Sequence, residues 1–252
     1  MKEYMKISLQ LAKFYNYDSE SFPGSNDILM ALLLKRKRII HKASNKESVF
    51  KSILEDRFQK TGSLKYTLVY VPEGNFPDDR EPDVSESDVE NISEDILDPD
   101  HLIDRYTKIV ADIHPSVTVT KFISGINERD KVLADFASGD LEVLTSMKCL
   151  DEGVDVPRSE LAIFCASTGN PRQFIQRRGR ILRKHPDKHK AIIHDLVVVP
   201  EVTTASESYN MERNLLKGEL KRVRDFATLS ENADYAYEKL ESILSYYNLS
   251  LF

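Results

Sequence analysis

The sequence has two cysteines, no tryptophan and no long apolar run. Cys149 and Cys165 lie in apolar surroundings without C-x-x-C spacing, which argues against a disulfide or a cysteine metal site and favours buried free thiols. No window approaches the roughly eighteen consecutive apolar residues of a membrane span, and the amphipathic N-terminus is not typical of a secretion signal. We therefore expect a cytoplasmic protein with no membrane association.

Histidine is also scarce, with six residues in the chain of 252. His185 and His189 have the i, i+4 spacing of a helical metal pair. Pro186 follows the first histidine and interrupts such a helix. We therefore predict no metal site formed by these side chains.

Charge is distributed unevenly along a chain whose net charge is −6. Residues 73–100 contain twelve acidic side chains and one arginine, whereas residues 169–190 contain eight basic side chains and one aspartate. The acidic segment is rich in Pro, Ser and Asp and has little apolar surface to bury, so we predict a loop. It is a solubilising insertion, a mimic of nucleic-acid charge or a docking site for a basic partner.

Short β-rich runs alternate with amphipathic segments through the middle of the chain. Strands are predicted within 65–71, 117–123, 141–146, 161–167 and 189–199. Helices are predicted within 100–113, 127–137 and 171–183. This alternation is typical of an α/β protein with a mainly parallel sheet covered on both faces.

Both ends of the chain have helical periodicity without strands. Residues 1–60 are predicted to form a helical connector that packs on the core, and residues 61–200 the α/β domain. Residues 201–252 contain two amphipathic segments, which predict a helical hairpin that packs on the sheet domain or reaches toward a partner.

The stretch QRRGRILR, residues 176–183, concentrates four arginines on one predicted helix. Gln176, Arg180 and Arg183 are spaced to share one stripe. The opposite, buried side is expected to contain mainly the apolar residues Phe174, Ile175, Ile181 and Leu182. Guanidinium groups bind phosphate oxygens through a planar fork. The stripe could be a solvated face, a contact to a nucleic-acid backbone or a polyphosphate site.

Neighbouring segments resemble a known family. TSMKCLDEGVDVP (145–157), followed by QFIQRRGRILR (173–183), resembles motifs V and VI of superfamily 2 helicases and translocases. The segment from Phe122 to Ser146 is similar to the loop, helix and strand that precede motif V, and the likeness extends over roughly residues 36–200. The family resemblance implies a RecA-like three-layer domain. The variant is most similar to the XPB-like and restriction-associated branch, and this branch resemblance favours DNA over RNA as the partner.

The resemblance implies a role in ATP hydrolysis for motif VI. Arg180 and Arg183 match arginine fingers that reach the γ-phosphate of ATP, and Gln176 matches a residue that helps to arrange that site. Gly153 and Asp155 match the motif V turn that senses the nucleotide. ATP with Mg²⁺ would be held mainly by a first, N-terminal RecA-like ATPase lobe.

The resemblance also implies a nucleic-acid contact at the ends of two predicted strands. Ser124 and Gly125, together with Thr145 and Ser146, match residues whose backbone contacts phosphates of the strand. LVYVPEG, residues 68–74, stands where motif IV is expected.

The sequence lacks two motifs that a complete motor of this family needs. It has no Gly-Lys pair, so the phosphate-binding loop G-x-x-x-x-G-K-[ST] is absent, and DPDH at residues 98–101 has Pro99 where the D-E-x-H box has Glu. The chain is therefore predicted to be one half of a motor, inactive by itself. The alternative is a standalone binding or regulatory protein built on a degenerate helicase lobe.

Overall fold

The computed structural model describes residues 2–15, 27–41, 43–72, 99–123, 125–126, 128–147, 156, 158–165, 171–200 and 209–251. These residues divide into two compact units. The sheet unit comprises the described residues between 43 and 196, and the helical unit comprises those of 2–41 and 197–251. The acidic loop predicted at 73–100 lies outside the described residues, apart from its last two positions.

The sheet unit is built on a parallel sheet of five strands in the order β2-β3-β1-β4-β5. The strands are β1 (Thr67–Tyr70), β2 (Val119–Phe122), β3 (Val143–Ser146), β4 (Leu161–Phe164) and β5 (Ile192–Asp195). Side chains of β1, β3 and β4 are buried throughout, which explains why these strands have continuous apolar runs rather than alternating ones.

Helices α3 (Ser44–Thr61) and α4 (Pro99–Ala111) cover one face of this sheet. Phe50 and Leu54 stand four residues apart on α3, so both point to the same side, and neither is exposed. They pack in one apolar cluster with Tyr106 of α4 and with Val69 and Ile163 of the sheet. This cluster is the main core of the unit.

Helices α5 (Arg129–Ser138) and α6 (Pro171–Ile181) lie on the opposite face. The Arg129 guanidinium of α5 stands 5.1 Å from the ring centre of Phe122 on β2, and Arg177 of α6 stands 5.2 Å from that of Tyr70 on β1. Tyr70 is adjacent in sequence to Val69, so their side chains point to opposite faces of the strand. The predicted RecA-like three-layer α/β architecture is confirmed.

The helical unit contains α1 (Lys2–Ala12), α2 (Asp27–His41), α7 (Tyr209–Ala227) and α8 (Ala233–Tyr247). The Tyr247 hydroxyl of α8 donates to the buried carboxylate of Glu212 on α7 at 2.9 Å. Burial and the Glu212 charge raise the pKa of Tyr247. The guanidinium of Arg36 on α2 lies over the ring of Tyr4 on α1, 5.0 Å from the ring centre, and both side chains are buried.

The compact units do not divide where the sequence pattern placed the domain boundaries. The prediction assigned α3 to the helical connector of residues 1–60, whereas the structure groups this helix with the sheet through Phe50 and Leu54. The biological domain boundaries at 60 and 200 stay predictions. No helix in the described ranges is both long and apolar enough to span a membrane.

Candidate functional site at the carboxyl edge of the sheet

The five strands end in register along one edge of the sheet. The paired terminal residues form a row of Phe122, Ser146, Tyr70, Phe164 and Asp195. Parallel strands bring all the connections that follow them to the same edge, which is where open α/β sheets bind ligands. The residues that the sequence singled out after β2 and β3 therefore belong to one edge. Gln176, Arg180 and Arg183 lie farther along the chain, in the second half of α6 and just beyond its end.

Thr145 and Ser146 lie inside this edge rather than on its surface. Both side chains are fully buried, and the Thr145 hydroxyl shares a hydrogen bond of 2.7 Å with the Thr107 hydroxyl on α4. The Ser146 carbonyl accepts the Val71 N–H at 2.8 Å. The Thr145 hydroxyl is therefore engaged within the sheet unit, and the backbone contact predicted for Thr145 and Ser146 stays a prediction.

Gly125 is exposed on the connection that follows β2. Its φ is +78°, in the left-handed region that favours glycine, and no heavy atom lies within 4 Å of the position a Cβ would take. Backbone conformation, rather than lack of space, therefore requires glycine here. Ser124, which is predicted to contact phosphates, and Gly153 and Asp155, which are predicted to sense the nucleotide, lie outside the described residues.

Helix α6 places the predicted stripe on its accessible side. Gln176 is exposed, Arg180 is half-buried, and Arg183 is exposed two residues beyond the helix end at Ile181. The Arg183 N–H bonds the Arg180 carbonyl at 3.3 Å, so the chain continues for one more tight turn. The structure thus brings these three side chains to one segment with solvent access, as the spacing predicted.

The predicted apolar side of α6 is only partly correct. Ile181 is fully buried, but Ile175 and Leu182 are 47% and 49% exposed. Those two residues are seven apart and share a stripe, whereas the buried stripe contains Arg177 and Ile181, which are four apart. The expectation that Ile175 and Leu182 are buried is therefore wrong, because a cationic residue occupies the inward position.

Arg177 is the residue of α6 that the sequence analysis missed. Its side chain is buried, its guanidinium lies over the ring of Tyr70, and its Nη2 is 3.5 Å from the Met147 carbonyl. The Tyr70 ring in turn stacks on Phe164, with ring centres 4.7 Å apart. A desolvated cation–π contact contributes about 2 kcal/mol. Arg177 therefore anchors α6 to β1 and to the start of the connection after β3.

A buried lysine reaches the same edge from the opposite face of the sheet. Lys46 of α3 donates from its Nζ to the Cys165 carbonyl, just after β4, at 2.9 Å. Burial raises the pKa of the Cys165 thiol, which therefore stays protonated and is unsuited to act as a nucleophile. Nothing in the sequence pattern pointed to Lys46, since its partner is 119 residues away.

Comparison with known proteins finds similarity over part of the chain. Residues 103–185 match the family described as the helicase conserved C-terminal domain. The chain is 36% identical over 97 residues to the "DNA 3'-5' translocase XPB2" of Sulfurisphaera tokodaii, a match that covers 38% of this chain and 20% of that protein. It is 33% identical over 79 residues to the "Putative ATP-dependent helicase IRC3" of Saccharomyces cerevisiae, covering 31% and 12%.

These matches are confined to a domain of larger proteins. The chain spans about a fifth or less of the length of the curated relatives it matches. The crystal structure of T4 UvsW superposes with a TM-score of 0.47 at 16% identity, over 88% of this chain and 37% of that one. The family match over residues 103–185 includes β2, β3, β4 and α6, but not the end of β1, β5 or Lys46.

Proposed function

We propose that this chain, which carries the C-terminal lobe of a superfamily 2 helicase, is the second motor lobe of an ATP-dependent DNA helicase or translocase. Its partner is an N-terminal RecA-like ATPase lobe, either in the same polypeptide or in a separate subunit. ATP with Mg²⁺ would bind between the lobes and supply the phosphoryl-transfer chemistry. The chain itself supplies the groups that face the phosphates and the DNA backbone.

The accessible stripe of α6 is the observation that supports this proposal. Gln176, Arg180 and Arg183 have solvent access, while Arg177 and Ile181 hold the other side of the helix against the sheet. Two guanidiniums on a fixed support can bind phosphate oxygens and stabilise charge that develops during phosphoryl transfer. We assign Arg180 and Arg183 as arginine fingers and Gln176 as the residue that helps to arrange them.

The chain's residues fit a donor role and not the role of the main nucleotide-binding lobe. Arginine donates to phosphate oxygens without needing a preformed cradle. The Gly-Lys phosphate loop and the carboxylates that hold Mg²⁺ are missing from the sequence, so the first lobe must provide them. We therefore expect no ATP hydrolysis from this chain alone.

We assign the connections after β2 and β3 to the nucleic-acid track. Ser124, Gly125, Thr145 and Ser146 would contact phosphates through the backbone, a mode that carries little base specificity. Gly153 and Asp155, in the same family motif as the second connection, would couple the nucleotide state to this track. DNA is favoured over RNA because the XPB2 relative is named a DNA translocase.

A reconstitution experiment tests the proposal. ATP hydrolysis is measured with and without DNA for this chain alone, for its first lobe alone, and for the two together. Turnover that appears only in the combination, and rises with DNA, would support a divided motor. Hydrolysis by this chain alone would mean that it contains a complete nucleotide site, and no hydrolysis by the combination would favour the standalone binding protein.

A further inference from the structure

The end of α6 is built differently from those of three other helices in the chain. Helices α3, α5 and α8 end in residues with left-handed backbone, Gly62, Gly139 and Asn248. The N–H of each bonds back to carbonyls of the last turn, which would otherwise have no partner. Leu182 directly follows the end of α6, and it is not one of the described residues with positive φ. Helix α6 therefore lacks this type of cap.

The Leu182 N–H does bond back to the Arg178 carbonyl at 3.0 Å, but the Ile181 and Arg183 carbonyls beyond it are held by a lysine side chain. Lys188 donates from its Nζ to the Ile181 carbonyl, seven residues earlier, and to the Arg183 carbonyl at 2.9 Å. An ammonium group at a helix C-terminus satisfies the last carbonyls and interacts favourably with the helix dipole. Lys188 therefore ties together the last residue of α6 and the segment that carries Arg183.

The loop between α6 and β5 holds Lys188 in position to do this. The Lys188 N–H bonds the His185 carbonyl at 3.0 Å, and the Asp187 N–H bonds His185 Nδ1 at 3.2 Å. These bonds form a tight turn that directs the lysine back toward the helix. Burial lowers the pKa of Lys188 and the charge of Glu160 opposes that shift, as expected for a half-buried ammonium engaged with protein carbonyls.

The carbonyl of Arg183 is one of the two that Lys188 holds, although Arg183 lies beyond the regular helix. Helix ends fray when their last carbonyls have no fixed partner. We propose that Lys188 is a positioning residue, which fixes the backbone at Arg183 so that its guanidinium is presented to the nucleotide together with that of Arg180. This inference rests on the proposed function, because it assigns a task to a finger arginine.

The test uses the intact ATPase that contains this chain and its first lobe. Lys188→Met removes the hydrogen-bond donor but keeps a side chain of similar length, and Lys188→Arg keeps a donor. Lys184→Met is the matched control, because it removes an exposed lysine next to Arg183. We expect Lys188→Met to lower kcat by roughly 10- to 100-fold, since small misplacements of a catalytic group have effects of that size. The KM for ATP should change less than about threefold, because the first lobe holds most of the nucleotide. Lys188→Arg should recover most of the kcat, and Lys184→Met should match wild type.

A double-variant cycle separates positioning from simple stabilisation of the helix. If Lys188 acts through Arg183, Lys188→Met should lower kcat little further in an Arg183→Ala background. Hydrogen exchange should become faster at Leu182 and Arg183, with the strands of the sheet unchanged. The inference would be overturned if Lys188→Met had a wild-type kcat or if the variant unfolded generally. It would also be overturned if Lys188→Met lowered kcat in the Arg183→Ala background by as much as it does in the wild type.

The same data distinguish this inference from the proposed function. A slow Arg183→Ala variant beside a normal Lys188→Met variant would overturn the role of Lys188 and leave the finger assignment intact. An Arg183→Ala variant with wild-type kcat would overturn both the finger assignment of Arg183 and the positioning role of Lys188.

Discussion

Replacing Leu54 with alanine should destabilise the sheet unit strongly. The side chain of Leu54 on α3 is fully buried in the core cluster with Phe50, Tyr106 and Val69. Removal of a buried leucine side chain costs about 2–5 kcal/mol through lost burial and a residual cavity. We expect about 3 kcal/mol, because the cluster is formed by two helices and the sheet and cannot collapse from one side alone.

Val49→Ala on the same helix is the matched control. Val49 is 47% exposed, so its truncation should change the free energy of unfolding by less than about 0.5 kcal/mol. The assay is hydrogen exchange of the β1 and β3 amides as a function of urea, which reports the sheet unit separately from the helical unit. With an m-value of about 2 kcal/mol/M, Leu54→Ala should shift the unfolding midpoint by about 1.5 M.

Equal midpoints for Leu54→Ala and Val49→Ala would refute this reasoning. They would show that α3 does not contribute to the sheet core. A large shift for Leu54→Ala alone would establish that the sheet unit begins before residue 60.

Two further predictions concern backbone conformation and pH. Gly139→Ala should cost about 1–3 kcal/mol of sheet-unit stability, because φ is +84° and the new Cβ would lie 2.7 Å from a tyrosine hydroxyl. Gly179→Ala should instead stabilise the unit by about 0.5–1 kcal/mol, because the new Cβ would lie in open space on α6. Thermal unfolding of both variants tests this, and shifts of the melting temperature with the same sign would contradict it. Burial lowers the pKa of His194 on β5, so its contribution to stability is complete above about pH 6.5 and is lost as the pH falls below that value. His194→Gln should reduce the fall in unfolding free energy between about pH 7 and pH 5, and an unchanged slope would contradict the assignment.

The layered fold could be predicted from the sequence because its strands are short, buried and rich in β-branched residues. Val143 and Leu161 belong to runs that no helical period explains, and the amphipathic segments between them must cover both faces of a parallel sheet. The assignment of α3 to the sheet unit was not predictable in this way. Its apolar stripe at Phe50 and Leu54 shows that one side is buried but not which surface buries it.

The candidate site could be predicted only for residues whose spacing has a local meaning. The stripe of Gln176, Arg180 and Arg183 follows from helical geometry. Arg177 escaped because a charged residue is assumed to be exposed, and its aromatic partner Tyr70 is brought to it only by the tertiary fold. The corresponding assumption that apolar residues are buried led to the wrong prediction for Ile175 and Leu182, which are exposed.

Lys188 illustrates a further limit of sequence reasoning. Its role depends on a turn at His185 that reverses the chain, and the charge pattern alone makes it one of eight basic residues in the segment. The sequence does contain one signal for such a role, because no glycine or asparagine follows directly after Ile181 to end the helix. A helix that ends without such a residue needs another donor for its last carbonyls.

The central claim is that Arg180 serves ATP hydrolysis and not the binding of DNA. The most direct measurement compares DNA-stimulated ATP turnover and DNA affinity for Arg180→Ala and for Lys184→Ala, an exposed lysine nearby, in the assembled two-lobe protein. We predict that Arg180→Ala lowers turnover by about 10³- to 10⁵-fold with DNA affinity within about threefold, and that Lys184→Ala matches wild type. Wild-type turnover by Arg180→Ala, or a loss of DNA affinity as large as the loss of turnover, would contradict the account.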